Sequence, residues 1–188
     1  MEPFRIHVAD EVLDDLRERL RRTRWPDQVA GIGWKQGTEL DWLQHLVSYW
    51  AREFDWRVWE ERLNTLDHFT WENIHFVYRR AASGQGVPLI LTHGWPSSFL
   101  DYLDMLPLLH DFDVVVPSLP GYGFSPRPPQ VGINYRYVAE RWHRLMSELG
   151  YSRYGAGGYD FGAGVTTILA LDHPQSVIGI HLTTLESD

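Results

Sequence analysis

Hydrophobic and polar positions change their period near residue 74, and that change divides the chain. Before it, apolar residues recur at helical spacing. Val12, Leu13, Leu16 and Leu20 share one helix face behind Asp10, a candidate N-cap. Thr38 followed by Asp41 has the form of a capping box with the usual Glu shortened. Leu40, Leu43, Leu46, Val47, Trp50 and Phe54 then continue one apolar stripe. Asp55-Trp56-Arg57 interrupts it and starts a short helix ending near Asn64. From Ile74 the period is two. Ile74, Phe76 and Tyr78 alternate with His75, Val77 and Arg79, the pattern of a half-buried strand.

Past the turn Ser83-Gly84-Gln85-Gly86, short apolar runs alternate with helical stretches. Val87 to Thr92 reads as a strand buried on both faces, followed by a helix opened by Pro96 and the serines. Phe112 to Val116 is the next strand, stopped by Pro117, and a Gly/Pro-rich loop runs to about Gly132. A helix from about Tyr135 to Leu149, a strand Tyr154 to Gly158, a helix Gly162 to Leu171 and a strand Val177 to Thr183 complete the series. This alternation predicts an α/β fold, a parallel sheet with helices on both faces. The expected division is 1–85, helical and ending in a strand, and 86–188, the alternating part.

Composition narrows the partners. The formal net charge of −8 sets nucleic acid aside as the main partner, since phosphate binding needs clustered Lys and Arg. The one basic run, Arg17 to Arg24, carries Leu20 at helical spacing and reads as a solvated helix face. There is no cysteine, which excludes disulfides and thiolate metal sites and makes a reducing, cytoplasmic compartment the expectation. No apolar run has membrane-spanning length, so no membrane anchor is expected. The nine histidines never form His-x-His or His-Glu-x-x-His, and no metal site is expected. Nine Trp, nine Tyr and eight Phe suit a buried core or an apolar cleft equally well.

The candidate chemistry lies after the strands. Gly158-Tyr159-Asp160-Phe161-Gly162 has the small-x-nucleophile-x-small form of a nucleophile elbow, with Asp as the nucleophile. A Cβ two residues to either side would meet the neighbouring strand or helix. At a helix N-terminus, Asp160 would face backbone N–H groups and a positive dipole end, a setting suited to an attacking carboxylate. On these residues alone, an Asp that simply caps the helix is an equal reading. A dinucleotide site fails, because the run from Gly155-Ala156-Gly157 puts Asp160 where a glycine must meet the pyrophosphate. His93-Gly94-Trp95-Pro96 follows the first buried strand, and a turn there can aim the Trp95 N–H into a cleft. With the Phe161 N–H it would form an oxyanion hole. Ser118 and Ser125, in the loop Pro117 to Ser125, lack the flanking glycines of an elbow, and no Gly-x-Ser-x-Gly occurs.

These motifs in this order resemble the epoxide hydrolase family, within the α/β-hydrolase fold. Arg24-Trp25-Pro26, Asp55-Trp56-Arg57, Leu63-Asn64 and Ile74-His75-Phe76 are similar to the N-terminal segment of its microsomal and juvenile-hormone branch. Tyr159 and Phe161 depart from the branch, which usually carries Gly and Trp there. The resemblance implies that Asp160 opens an apolar epoxide to a glycol ester. A histidine-activated water then releases the diol, with Trp95 and Phe161 holding the oxyanion and no cofactor taking part. His93, Gly94, Pro96 and Tyr159 would shape the loop and substrate site. His93 precedes the nucleophile, whereas the base of this fold follows it, so a hydrogen-bonding role is expected for His93. His173 closes a helix and His181 lies within a strand, so neither is expected to be the base. Glu186 and Asp188 are weak candidates for the acid. The resemblance therefore covers the first part of the fold, with the lid and C-terminal part absent. A complementary C-terminal chain or a homo-oligomer is an expected partner. A dehalogenase with the same Asp, or a non-catalytic fragment, are the competing expectations.

Overall fold

The computed structural model describes residues 1–183, which fall into two compact units. One is Ile6–Thr65; the other joins Met1–Arg5 to the chain from Leu66 onward.

Ile6–Thr65 is built on three helices, α1 (Asp10–Arg21), α2 (Leu40–Arg52) and α3 (Trp56–Leu63). Their starts differ from the expected caps at two places. Ala9 precedes α1 without a side-chain cap, and Asp10 instead pairs with Arg57. Glu39 caps α2 by accepting from Trp42 N at 2.9 Å, displacing Thr38, because the helix begins one residue later than a Thr38 cap requires. Asp55 caps α3 through Arg57 N at 2.8 Å. The motifs Asp55-Trp56-Arg57 and Leu63-Asn64 form a polar knot. Glu60 accepts from Val8 N (2.8 Å), Trp56 Nε1 (2.9 Å) and Arg57 (2.8 Å). The Asn64 amide pairs with both backbone groups of Ile6 at 2.9 Å. The basic run is solvated and ion-paired along α1, with Arg17 on Asp14 and Arg22 on Glu18.

The other unit is a seven-stranded sheet in the order β1-β2-β3-β5-β4-β6-β7. β1 (Glu2–Phe4), β2 (His68–Trp71) and β3 (Ile74–Arg79) form an antiparallel flank that meets β5 (Phe112–Pro117) antiparallel. β4 (Val87–Thr92), β5, β6 (Tyr154–Tyr159) and β7 (Val177–Thr183) run parallel. The sheet is thus mixed, and β1 and β2 have no signal in the period-two pattern because each is only three or four residues long. β3 is buried on both faces from Ile74 to Tyr78 rather than half-buried.

α4 (Tyr135–Glu148) and α5 (Phe161–Asp172) cover one face, where Phe76, Tyr78, Ile90, Val115 and Ala156 join Trp142, Leu145 and Leu169 in the core. The helix expected after Pro96 is replaced by two short 3-10 turns, Phe99–Tyr102 and Leu106–Leu108. Pro107 removes one helical donor and disfavours helical geometry before it. On the β7 edge, Ile178, Ile180 and Leu182 are exposed, so this edge is apolar and open among the described residues. The chain leaves β4 toward β5 on one side and returns to β6 on the other. That reversal opens a crevice at the carboxyl ends of the strands, where parallel sheets bind ligands.

Candidate active site

Asp160 follows β6 directly and opens α5, with φ 51° and ψ −121°, in a region non-glycine residues rarely adopt. The neighbours leave it little alternative. A Cβ on Gly162 would lie 1.9 Å from the Thr92 carbonyl oxygen, and one on Gly158 would lie 2.3 Å from that of Gly162. Strand β4, strand β6 and helix α5 therefore meet with no room for side chains, and the backbone between them turns sharply. The Asp160 side chain makes no hydrogen bond to the helix it opens. Instead Oδ1 accepts the Trp95 N–H at 2.8 Å. A helix cap would aim inward, whereas this carboxylate is exposed and bound to a different loop.

Gly94 presses that loop onto Asp160, since a Cβ there would sit 2.5 Å from the Asp160 Cβ. The Trp95–Pro96 peptide is cis. His93, fully buried, fixes the loop from below. Leu119 N donates to His93 Nε2 at 3.1 Å, so the proton resides on Nδ1, which donates to the Gly94 carbonyl at 3.0 Å. Burial holds its pKa below the usual histidine value, the Gly94 contact opposing. With both nitrogens engaged in a neutral ring, His93 has none free to activate water.

The Phe161 N–H, at the start of α5, has no hydrogen-bond partner among the described residues. The Phe161 ring faces Tyr135 at 6.1 Å, and both border an apolar pocket of about 240 Å³ with Leu119, Tyr122, Ile133 and Val138. The sheet unit thus places Asp160, Trp95, Phe161, His93, Gly94, Pro96 and Tyr159 at the ends of two adjacent strands, β4 and β6.

The pattern of residues did not foretell a polar network behind this site. Ser118 Oγ meets His75 Nδ1 at 2.9 Å, and His75 Nε2 meets His68 Nδ1 at 2.9 Å. Ser125 Oγ donates to the Ser118 carbonyl and accepts from His75 N. Burial first, then the neighbouring His68, pushes the His75 pKa down to about 3. Neither serine is an exposed nucleophile. Both tie the loop after β5 to β3. The available signal was a histidine inside an otherwise apolar strand. His173 lies at the far end of α5, stacked on His143 at 3.8 Å and bonded to Glu140, and His181 lies on exposed β7. Glu186 and Asp188 are outside the described residues. Among the described residues, no histidine hydrogen-bonds Asp160. No group of three or more metal-binding side chains occurs among them either, and no helix is long and apolar enough to cross a membrane.

Residues 1–102 match the family described as "Epoxide hydrolase N terminus", and residues 87–186 the "alpha/beta hydrolase fold". A Stigmatella aurantiaca (strain DW4/3-1) protein provisionally named an epoxide hydrolase is 43% identical over 195 residues, covering 96% of this chain and 44% of its own length. Epoxide hydrolase 1 of Oryctolagus cuniculus is 34% identical over 199 residues, with the same two coverages of 96% and 44%. The crystal structure of juvenile hormone epoxide hydrolase from the silkworm Bombyx mori superposes with TM-score 0.88 at 32% identity, over 97% of this chain and 52% of that one. The chain spans less than half the length of these curated relatives.

Proposed function

This chain belongs to the epoxide hydrolase family, and on that premise we propose that it carries the nucleophile half of an epoxide-opening site, with Asp160 as the attacking group. One observation carries the reading: the Trp95 N–H holds Oδ1 of a carboxylate that its own helix leaves uncapped. With Oδ1 held, Oδ2 is the atom free to attack. It forms a bond to one ring carbon of an apolar epoxide as the ring C–O bond breaks, and the departing alkoxide takes up a proton from solvent water. Oδ1 becomes the carbonyl oxygen of the resulting ester. Water attacking that ester would place negative charge on Oδ1, already bonded to Trp95 N–H and near the Phe161 N–H. The apolar pocket beside Phe161 and Tyr135 suits a hydrocarbon substituent.

The second step needs a base to activate water. His93 is neutral with both nitrogens bonded, and the other histidines described lie elsewhere. The base therefore has to come from residues beyond those described or from a complementary chain. Without such a base, the reaction halts at the ester. Incubation with styrene oxide followed by intact-mass measurement tests this. The expected result is a stable adduct of one epoxide mass, absent in Asp160→Asn. No adduct, or an adduct that survives the substitution, sinks the assignment. Adduct formation with a haloalkane but not with an epoxide would favour the dehalogenase reading.

A further inference from the structure

The Trp95 N–H is useful only if its loop stays seated on Asp160, and the outer part of that loop is poorly buried. Trp95 itself is 64% exposed. The inner part is secured by His93 and by Tyr102, whose hydroxyl donates to the Thr92 carbonyl at 2.9 Å. Among the described residues, Tyr159 ties the outer part to the strand that carries the nucleophile. The Tyr159 hydroxyl donates to Asp101 Oδ2, and Ser97 Oγ donates to the same oxygen from within the loop.

The positions give this tie its meaning. Tyr159 is the last residue of β6 and the immediate neighbour of Asp160. Asp101 lies in the 3-10 turn that ends the loop, and Ser97 lies two residues past Trp95. The three side chains close a bridge from the nucleophile's own strand to the loop on the outer side of Trp95. The Tyr102 ring packs on Tyr159 at 6.1 Å and restricts its swing. Burial, then the bond to Asp101, raises the phenol pKa, so Tyr159 stays a protonated donor.

We propose that Tyr159, acting through Asp101 and Ser97, is a positioning residue that latches the Trp95 loop onto Asp160. Its hydroxyl bonds Asp101, while Asp160 Oδ1 is bonded by the Trp95 N–H. Its effect is to keep the oxyanion donor in place before charge develops, the condition under which such donors are effective. The kinetic part rests on the epoxide-opening reading; the structural part does not.

The test uses ¹⁵N-labelled chain and two variants, Tyr159→Phe and Asp101→Ala. Solvent exchange of the Trp95 amide is measured by NMR, and the rate of Asp160 alkylation by styrene oxide is measured by mass. In Tyr159→Phe, Trp95 exchange should accelerate about tenfold and the alkylation rate constant should fall about tenfold, with the half-saturating epoxide concentration unchanged. The Leu119 amide, bonded to His93 on the inner side, should keep its exchange rate. Asp101→Ala should reproduce both changes, and the double variant should be no worse than either single one. Unchanged Trp95 exchange in either folded variant overturns the latch, as does a loss spread equally over Trp95 and Leu119. Accelerated Trp95 exchange with no alkylation even in the parent chain supports the latch and overturns the epoxide reading alone.

Discussion

The two units use the same residue types to opposite ends. In the sheet unit the large side chains are spent on a closed interior: Trp142 is 0% exposed and donates from Nε1 to Thr92 Oγ1 at 3.0 Å. In the helical unit Trp42, Tyr49, Trp50 and Trp59 are all more than 40% exposed. Leu13, Leu16, Leu46, Tyr49, Trp50 and Phe54 line an open apolar groove of about 490 Å³. What holds the helical unit's ends is polar, the Glu60 and Asn64 knot. Amphipathic patterning says that a face is apolar; it does not say whether the same chain covers it. The strained Asp160 turn and the loop bonded to it lie in the unit with the large closed interior.

The strongest way to break this contrast is a single methyl group. Gly162→Ala puts a Cβ 1.9 Å from the Thr92 carbonyl, backbone against backbone, so β4 and α5 must separate. The expected cost is about 4 kcal/mol or more, with loss of Asp160 alkylation. Gly31→Ala in the helical unit has no atom within 4 Å and carries only the left-handed backbone penalty at φ 70°, about 1–2 kcal/mol. Urea unfolding of both variants reads the difference, and similar losses would mean the elbow is not tightly packed.

That packing explains what could be read from the sequence. The strand Val87–Thr92 stands where its apolar run puts it, inside the sheet, and Val177–Thr183 forms from a similar apolar run although it lies exposed at the edge; Asp160 follows its strand because the glycines around it admit no other turn. Tyr159 and Trp95 were visible as neighbours of a motif, but the Asp101 tie was not, since it joins residues 58 apart through a single side-chain hydrogen bond that leaves no periodic trace. The His75–Ser118 pair, 43 residues apart, was hidden for the same reason. Short edge strands and the cap of α2 were set by local geometry finer than the hydrophobic period.

Acid separates the units by a smaller margin. His75 is held at about 3, against 6.5 for a free histidine, so between these values the unfolded chain binds a proton that the folded sheet refuses. Stability is therefore full above pH 6.5 and falls as pH drops toward 3, by roughly 3 kcal/mol between pH 7 and 4. Glu60 is shifted in the same direction, but from a lower starting value. Burial works to raise its pKa, but hydrogen bonds from Val8, Trp56 and Arg57 prevail and hold it below 4.5. Its contribution is complete above that value and is lost only below it. Chemical unfolding from pH 7 to 5 should thus weaken the sheet unit first, and His75→Gln should flatten that slope. A slope unchanged by the substitution would place the acid sensitivity in other groups.

The smallest expected effect bears on the groove itself. Trp50→Ala removes a ring that is already 44% exposed and borders an open depression, so it creates no new closed cavity. Only the covered part of its surface counts, at about 25 cal/mol per Å², which gives about 1–2 kcal/mol. The same truncation at Trp142 forfeits a fully covered ring and the Thr92 hydrogen bond, about 3–5 kcal/mol. The denaturant midpoints of the two variants should therefore differ clearly in this order. Equal losses would mean that Trp50 is covered in solution, and that the helical unit closes over its apolar face after all.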